Sequence, residues 1–335
     1  MEVTGTSVVG VTEPGAVAAA RRAAVELASG LGLDEAAVGR VALAVTEAGT
    51  NLLKHAGGGS IVLRAVPDRA APFVDILGLD RGPGMASVGR CLEDGYSTAG
   101  SPGTGLGALR RLSSQFDVYS GAQGTAVLAR VGPSAPGAAP RAPAVHVEGL
   151  SLPRRGEQVC GDAFEVEHRP RGVAVLVADG LGHGPVAAAA AAAAVTAFGQ
   201  TRGGKPGSRL EVVHQALRPT RGAAVAIADL DLDTGVVRFA GLGNVAAVLH
   251  DGAAARHLVS QPGTAGHVAR RIEEYTYPWR RGDLLVAHSD GLSARLDLSG
   301  YPGLTRRHPA LIAGVLYRDA GRELDDATVV VARAA

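Results

Sequence analysis

Lysine is nearly missing from this chain. Of 335 residues only Lys54 and Lys205 are lysines, so arginine carries the rest of the positive charge. Neither sign dominates, because the formal net charge is +1. The basic residues come as scattered pairs, such as Arg21–Arg22, Arg110–Arg111 and Arg280–Arg281, and not as the basic stripe of a nucleic-acid binder. No nucleic-acid partner is expected. Cysteine is limited to Cys91 and Cys160, far apart, which excludes a disulfide framework and zinc-finger spacing. Aromatics make up 4% of the chain. The longest apolar stretch, Val186 to Phe198, is mostly alanine and falls short of the ~20 residues of a membrane span. The N-terminus has no charged segment followed by an apolar one, as a signal peptide would. A cytoplasmic protein without a membrane partner is expected.

What is present is apolar residues in quantity, 46% of the chain, enough for a core in each of two domains. Residues 132–143 read GPSAPGAAPRAP, with four prolines, which neither a helix nor an inner strand accommodates. The expected division is therefore residues 1–132, a linker over 133–144, and residues 145–335. In the first part, helices are expected over Pro14–Leu31 and from Asp34, as N-cap, to about His55. Strands are expected over 61–66 and 73–79, a helix over 104–116, and closing strands over 117–119 and 125–131. The second part alternates short apolar runs with turn residues. It predicts a β-sandwich with helices over 187–194 and 309–318. The fold class expected is α+β, a helix-and-mixed-sheet domain followed by a sandwich flanked by helices.

In the second part, aspartates stand at strand ends. Asp162 opens a strand, Asp179 closes VAVLVA, Asp290 follows DLLVAHS and Asp326 precedes the last strand. Antiparallel pairing brings all four to one edge of the sandwich. Crowded carboxylates repel, and an all-oxygen set suits Mg²⁺ or Mn²⁺ over zinc. Gly180 and Gly291 follow two of them and let the backbone turn sharply. His183 is either a proton donor to a leaving oxygen or a helix-capping histidine.

The motifs GDAF (161–164), ADGLGHG (178–184), SDGL (289–292) and DDAT (325–328), in this order, resemble the PPM-type protein phosphatases, and within them the SpoIIE/RsbX branch. GLGN (241–244) fits as well. The resemblance implies a Ser/Thr protein phosphatase with two Mn²⁺ or Mg²⁺ ions. Asp179, Asp290 and Asp326 would hold metal, Gly180 through its carbonyl, with Asp162 close by; Asp179 and Asp290 would be central to catalysis.

In the first part, Glu47 and Asn51 share a helix face four residues apart. DRGPGM follows over 80–85, then GTGLG over 103–107 opening a helix, then Gly124–Thr125. A glycine loop at a helix N-terminus offers amides to phosphate, and no Walker loop is present. This order resembles the GHKL ATPases, and within them the anti-sigma-factor Ser kinases of RsbT/RsbW type. The resemblance implies ATP with Mg²⁺ on Asn51, and Glu47 as base or water positioner. Asp80 would accept from the adenine amino group, with Gly82, Gly84 and Thr125 beside it, and Gly103, Gly105 and Gly107 would lie over the phosphates. It further implies a partner of STAS type. Two opposed activities on such a partner, or a phosphatase regulated by a nucleotide-binding domain, are the two leading expectations; an interaction module with both sites idle is the third.

Overall fold

The computed structural model describes residues 5–66, 71–92, 105–133, 144–252, 254–293 and 296–334. The fold is α+β. The chain divides into two compact units, one made of residues 1–138 and 306–318, the other of residues 139–305 and 319–335. Most of the proline-rich linker, residues 134–143, lies outside the described residues.

The first unit holds strand β1 (Thr6–Val11), helices α1 (Pro14–Gly30) and α2 (Glu35–Ala56), strands β2 (Gly59–Val66) and β3 (Phe73–Leu79), a helical turn α3 (Val88–Cys91), helix α4 (Gly105–Leu112), and strands β4 (Gln115–Gly121) and β5 (Gly124–Val131). Its antiparallel sheet runs β1-β2-β3-β5-β4. Helix α2 starts where Asp34 accepts a hydrogen bond from the Ala37 amide at 2.7 Å, satisfying one of the free first-turn donors. It stops at Gly57, which takes the left-handed conformation at φ 71° that glycine adopts without strain. Small and branched residues, among them Ala20, Ala24, Val41, Val45 and Ala48, bury the helices against Ile61, Leu63, Val74 and Ile76 of the sheet. Helix α4 is shorter than the 104–116 expected. The Ser113 hydroxyl bonds back to the Leu109 carbonyl at 2.6 Å, and the Ser114 amide pairs with the Arg130 carbonyl at 2.9 Å. Serine side chains compete with helical hydrogen bonds in this way.

Across the middle of the sheet, Asp75 is wholly buried between two arginines. Arg130 donates to it at 2.7 and 2.9 Å, and Arg64 donates from the opposite strand. The three are register partners on β2, β3 and β5, so a cross-strand row neutralises a charge that would be costly alone. Helix α7 (Pro309–Ala320) belongs to this unit through residues 309–318. Sequence order places it with the second domain, yet a Cβ on its Gly314 would lie 3.3 Å from Leu79 and 3.4 Å from Leu77.

The second unit is a sandwich of two antiparallel five-stranded sheets, β15-β10-β9-β8-β7 and β12-β11-β16-β17-β6. The first comprises β7 (Asp162–Arg169), β8 (Gly172–Gly180), β9 (Ala223–Asp231), β10 (Val236–Leu242) and β15 (Tyr275–Pro278). The second comprises β6 (Val145–Leu152), β11 (Ala246–His250), β12 (Ala255–His257), β16 (Leu284–His288) and β17 (Ala327–Ala334). A two-stranded pair, β13 (Gly263–Thr264) and β14 (Val268–Ala269), stands apart. Strand β8 explains its own apolar run by alternation. Val173, Val175 and Val177 face the inner core with Phe239, Leu285 and Val330. Ala174, Leu176 and Ala178 face outward onto α5 (Gly184–Gln200) and α6 (Pro206–Ala216). Both faces are covered, so no polar alternation survives in the sequence. Helix α6 is absent from the sequence expectation; its apolar anchors reduce to Leu210 and Val213. Among the described residues no helix is long and apolar enough to cross a membrane.

Candidate functional site

Asp162 opens β7 and Asp179 lies one residue from the end of β8, and the two are Cα partners in the antiparallel register. Asp290 lies two residues beyond β16, and Asp325 lies in the loop before β17. A cavity of about 280 Å³ opens here, walled by Asp179, Leu181, Gly182, His183, Ala224, Asn244, Asp290 and Asp325. Burial, and then the charges of Asp162, Asp290 and Asp325, push the Asp179 carboxyl far above the usual carboxylate range. Burial also raises Asp162, with the Asp326 charge adding and the Ser289 and Thr328 hydroxyls opposing. Asp325 is raised by burial and then by Asp290. Oδ2 of Asp162 is buried without a hydrogen-bond partner among the described residues. Asn244 donates to Oδ2 of Asp290 at 2.6 Å and fixes that side chain.

Sequence order points to Asp326 as the last carboxylate of the cluster, but in the structure it is Asp325 that lines the cavity. Asp326 is buried, and both of its oxygens are taken by backbone amides, Arg154 N at 2.8 Å and Gly161 N at 2.9 Å. It ties loops together, whereas its neighbour Asp325 walls the cavity. Asp325 lies in a bend after a turn whose hydrogen bond runs from the Asp325 amide to the Arg322 carbonyl, and this local backbone course, which the dipeptide does not specify, decides which of the two carboxylates faces the cavity. The glycines also differ in role from the expected turn. Gly180 and Gly291 do not take positive φ. They are required by close approach, since a Cβ would sit 2.2 Å from the Ala187 carbonyl at Gly180 and 1.8 Å from the Asp326 carbonyl at Gly291. His183 is the N-cap residue of α5 but makes no side-chain cap bond. Its Nδ1 lies 3.0 Å from Oε1 of Glu157, a partner that no sequence motif contained, whereas Asn244 and Asp325 lay within the GLGN and DDAT motifs without being given a role.

In the first unit, Glu47 and Asn51 project from α2, one turn apart. Nδ2 of Asn51 is buried without a partner among the described residues, and Gly105, the first residue of α4, packs so close that a Cβ would lie 2.7 Å from Oδ1 of Asn51. Oδ1 of Asp80 accepts from the amides of Gly82 at 2.8 Å and Thr125 at 3.0 Å, while the Asp80 amide donates to the Thr125 carbonyl at 2.9 Å. Ser120, not singled out by sequence, bridges the Thr125 hydroxyl at 3.0 Å and the Met85 amide at 2.7 Å. Gly84 has φ 74° and a Cβ there would strike the Gly121 carbonyl at 2.3 Å. A Cβ on Gly82 would lie 2.8 Å from Ala56 Cβ, and Gly107 is buried within α4. Gly103 lies outside the described residues. Asp80, Gly82, Gly84 and Thr125 thus form one hydrogen-bonded turn at the end of β3, and Asn51 and Gly105 a second junction between α2 and α4.

Comparison with known proteins agrees with both halves. Residues 11–131 match the family model of the histidine kinase-like ATPase domain, and residues 169–335 that of stage II sporulation protein E. The serine/threonine-protein kinase RsbT of Bacillus subtilis is 34% identical over 114 residues, which span 34% of this chain and 86% of RsbT. The phosphoserine phosphatase RsbX of the same organism is 26% identical over 153 residues, 44% of this chain and 76% of RsbX. A chain from a structure of the bacterial stressosome superposes with TM-score 0.53 at 28% identity, covering 56% of this chain and 99% of its own. RsbX in complex with magnesium superposes with TM-score 0.52 at 22% identity over 57% of this chain and 96% of its own, a likeness of fold. The chain belongs to the histidine kinase-like ATPase family of RsbT through residues 11–131, and its residues 169–335 match the stage II sporulation protein E family model.

Proposed function

We propose that the second domain hydrolyses phosphoserine or phosphothreonine on a partner protein with Mn²⁺ or Mg²⁺, and that the first domain phosphorylates such a partner from MgATP. The observation that carries the reading is the meeting of Asp179, Asp290 and Asp325 in one cavity wall, with Asp162 paired to Asp179 across the strands; burial and then neighbouring carboxylate charge raise Asp162, Asp179 and Asp325 above the usual carboxylate range. The donor set fits hard divalent ions, and the unpartnered Asp162 Oδ2 supplies an oxygen awaiting a cation. Asp179, Asp290 and Asp325 would be the holding carboxylates, with Asp162 behind them and the Gly180 carbonyl as a further oxygen. Two divalent ions there would supply Lewis acidity toward a phosphoryl group and a nucleophile at neutral pH. Asn244 keeps the Asp290 carboxylate oriented. His183, steadied by Glu157, stands in the cavity wall where it can deliver a proton to the departing Ser or Thr oxygen.

In the first domain, Asp80 would accept from the adenine amino group, its position fixed by Gly82 and Thr125. Asn51 would present its amide oxygen to Mg²⁺, and Glu47 would orient or deprotonate the attacking hydroxyl. Gly105 and Gly107, in the first turn of α4, would lie over the phosphates. The partner proposed is a STAS-type protein, in keeping with the relation to RsbT and RsbX. The test is a pair of assays on purified chain: transfer of labelled phosphate from ATP to a STAS protein, and Mn²⁺-dependent release of that label. No transfer to any such protein would remove the kinase half of the reading.

A second reading, in which nucleotide binding regulates the phosphatase, is favoured by one observation. Within the first unit, Arg318 donates to the Asp80 carbonyl at 2.9 Å and Arg81 donates to the Arg318 carbonyl. The chain then runs from Arg318 to Asp325 in seven residues. Under this reading ATP changes the phosphatase rate while no label moves. A rate indifferent to ATP speaks against it.

A further inference from the structure

A phosphorylated side chain reaches a site as an anion. Among the described residues the wall of the carboxylate cavity holds neither arginine nor lysine, only Asp179, Asp290 and Asp325 with neutral groups and His183. A guanidinium presents donors in a planar fork that matches phosphoryl oxygens, and one stands beside this wall. Strands β8 and β9 pair antiparallel, with Asp179 opposite Ala224 and Gly180 opposite Ala223. The chain just before Ala223 therefore runs beyond the end of β8, alongside Leu181 and Gly182. The two segments are tied there, since the Leu181 amide donates to the Gly222 carbonyl at 3.0 Å. Arg221 projects from this overhang. Its Nη1 lies 3.3 Å from where a Cβ on Gly182 would stand, and among the described residues no other atom outside Gly182 and its chain neighbours comes within 4 Å of that point. Gly182 is itself part of the cavity wall. A side chain at 182 would crowd the guanidinium, and glycine leaves that ground clear.

The backbone under Arg221 is fixed while its side chain is free. The Gly222 amide donates to the Thr220 hydroxyl at 3.0 Å, and the Thr220 amide donates to the Leu217 carbonyl at 2.9 Å. Ala223 and Ala265 exchange amide-to-carbonyl bonds at 3.1 and 2.9 Å. The Arg221 side chain is exposed, and among the described residues it has no hydrogen-bond or ion-pair partner. Other arginines of the same sheet and its turns are paired, Arg169 with Asp229 and Arg171 with Asp233. Nothing in the internal structure uses the charge of Arg221.

Resting on the phosphatase reading, we infer that Arg221 grips the phosphoryl group at the carboxylate cavity, donating from its guanidinium to the phosphoryl oxygens. The ligand class is a phosphomonoester or the inorganic phosphate released from it, because both present the same oxygens. Contact made alike with substrate and product acts on KM and on product inhibition, and leaves kcat little changed.

The test uses the full chain with Mn²⁺, two substrates and one inhibitor. The substrates are p-nitrophenyl phosphate and a phosphoserine peptide with acidic residues on both sides, and the inhibitor is inorganic phosphate. In Arg221→Gln, KM for p-nitrophenyl phosphate and the inhibition constant of inorganic phosphate are expected to rise together by about tenfold. The Mn²⁺ concentration for half-maximal activation should stay at the wild-type value, because the carboxylates are untouched. Arg221→Lys keeps the charge without the fork and should fall between wild type and Arg221→Gln. Arg218→Gln, at an exposed arginine just past α6, should leave both constants unchanged. Unchanged constants in Arg221→Gln overturn the assignment and leave the phosphatase reading standing. A raised KM for the peptide alone, with p-nitrophenyl phosphate and inorganic phosphate unaffected, places Arg221 on the flanking acidic residues and overturns it as well. Failure of wild-type protein to hydrolyse either substrate overturns the phosphatase reading itself, and the role of Arg221 with it.

Discussion

Asp162 and Asp179 are Cα partners across the antiparallel pairing of β7 with β8. The sandwich therefore places two carboxylates at one strand edge by register alone, and Asp290 and Asp325 add their charges to Asp179. Folding into this arrangement raises the proton affinity of both paired aspartates, so the metal-free folded state holds more protons than the unfolded chain above the ordinary carboxylate range. By linkage, this contribution favours folding at low pH and is lost as pH rises through the raised values.

A divalent ion should reverse that trend. The expected outcome is that the difference in melting temperature of the second domain's transition between Mn²⁺ and EDTA widens as the buffer goes from about pH 5.5 to about pH 8.5. A difference that stays constant or shrinks with rising pH contradicts a cation site built on these aspartates.

Asp325 and Asp326 should separate cleanly. Asp325→Asn removes a charge from the cavity wall and is expected to abolish Mn²⁺-dependent hydrolysis without lowering the melting temperature. Asp326→Ala leaves the Arg154 and Gly161 amides without their acceptor. At about 1–3 kcal/mol for each buried donor left unpaired, thermal melts should show a marked drop in stability. Full hydrolytic activity in Asp325→Asn would contradict the assignment.

How much of this was legible in sequence follows from what each signal encodes. The α2 start at Asp34, the two-layer class and the order of the aspartate motifs were readable, because capping, alternation and motif order are local properties. The choice between Asp325 and Asp326 was not, since it depends on the course of the bend that precedes β17. Glu157 was also hidden, and Asn244, though inside GLGN, gave no sign of its role: each acts through a contact distant in sequence, 26 residues for Glu157 with His183 and 46 for Asn244 with Asp290. Helix α7 was foreseen as a helix but not as part of the first unit, because its apolar residues do not name the sheet they cover.

Glu47 and Asn51 should divide chemistry from binding in the first domain. Glu47→Ala is expected to slow phosphate transfer by about 10²–10⁴-fold with ATP affinity little changed. Asn51→Asp should weaken MgATP binding, because a carboxylate beside the triphosphate repels it at close range. Calorimetry with MgATP on the full chain, beside a transfer assay, checks both. Unchanged affinity in Asn51→Asp contradicts the proposed role of Asn51 in holding Mg²⁺.

The most direct test of the central claim is p-nitrophenyl phosphate hydrolysis by the full chain, titrated with Mn²⁺, for wild type, Asp179→Ala and Asp290→Asn. The account predicts saturable Mn²⁺ activation in wild type, loss of that activity with EDTA, and no metal-dependent turnover in either variant. Wild-type turnover by Asp179→Ala or Asp290→Asn, or activity indifferent to EDTA, would contradict it.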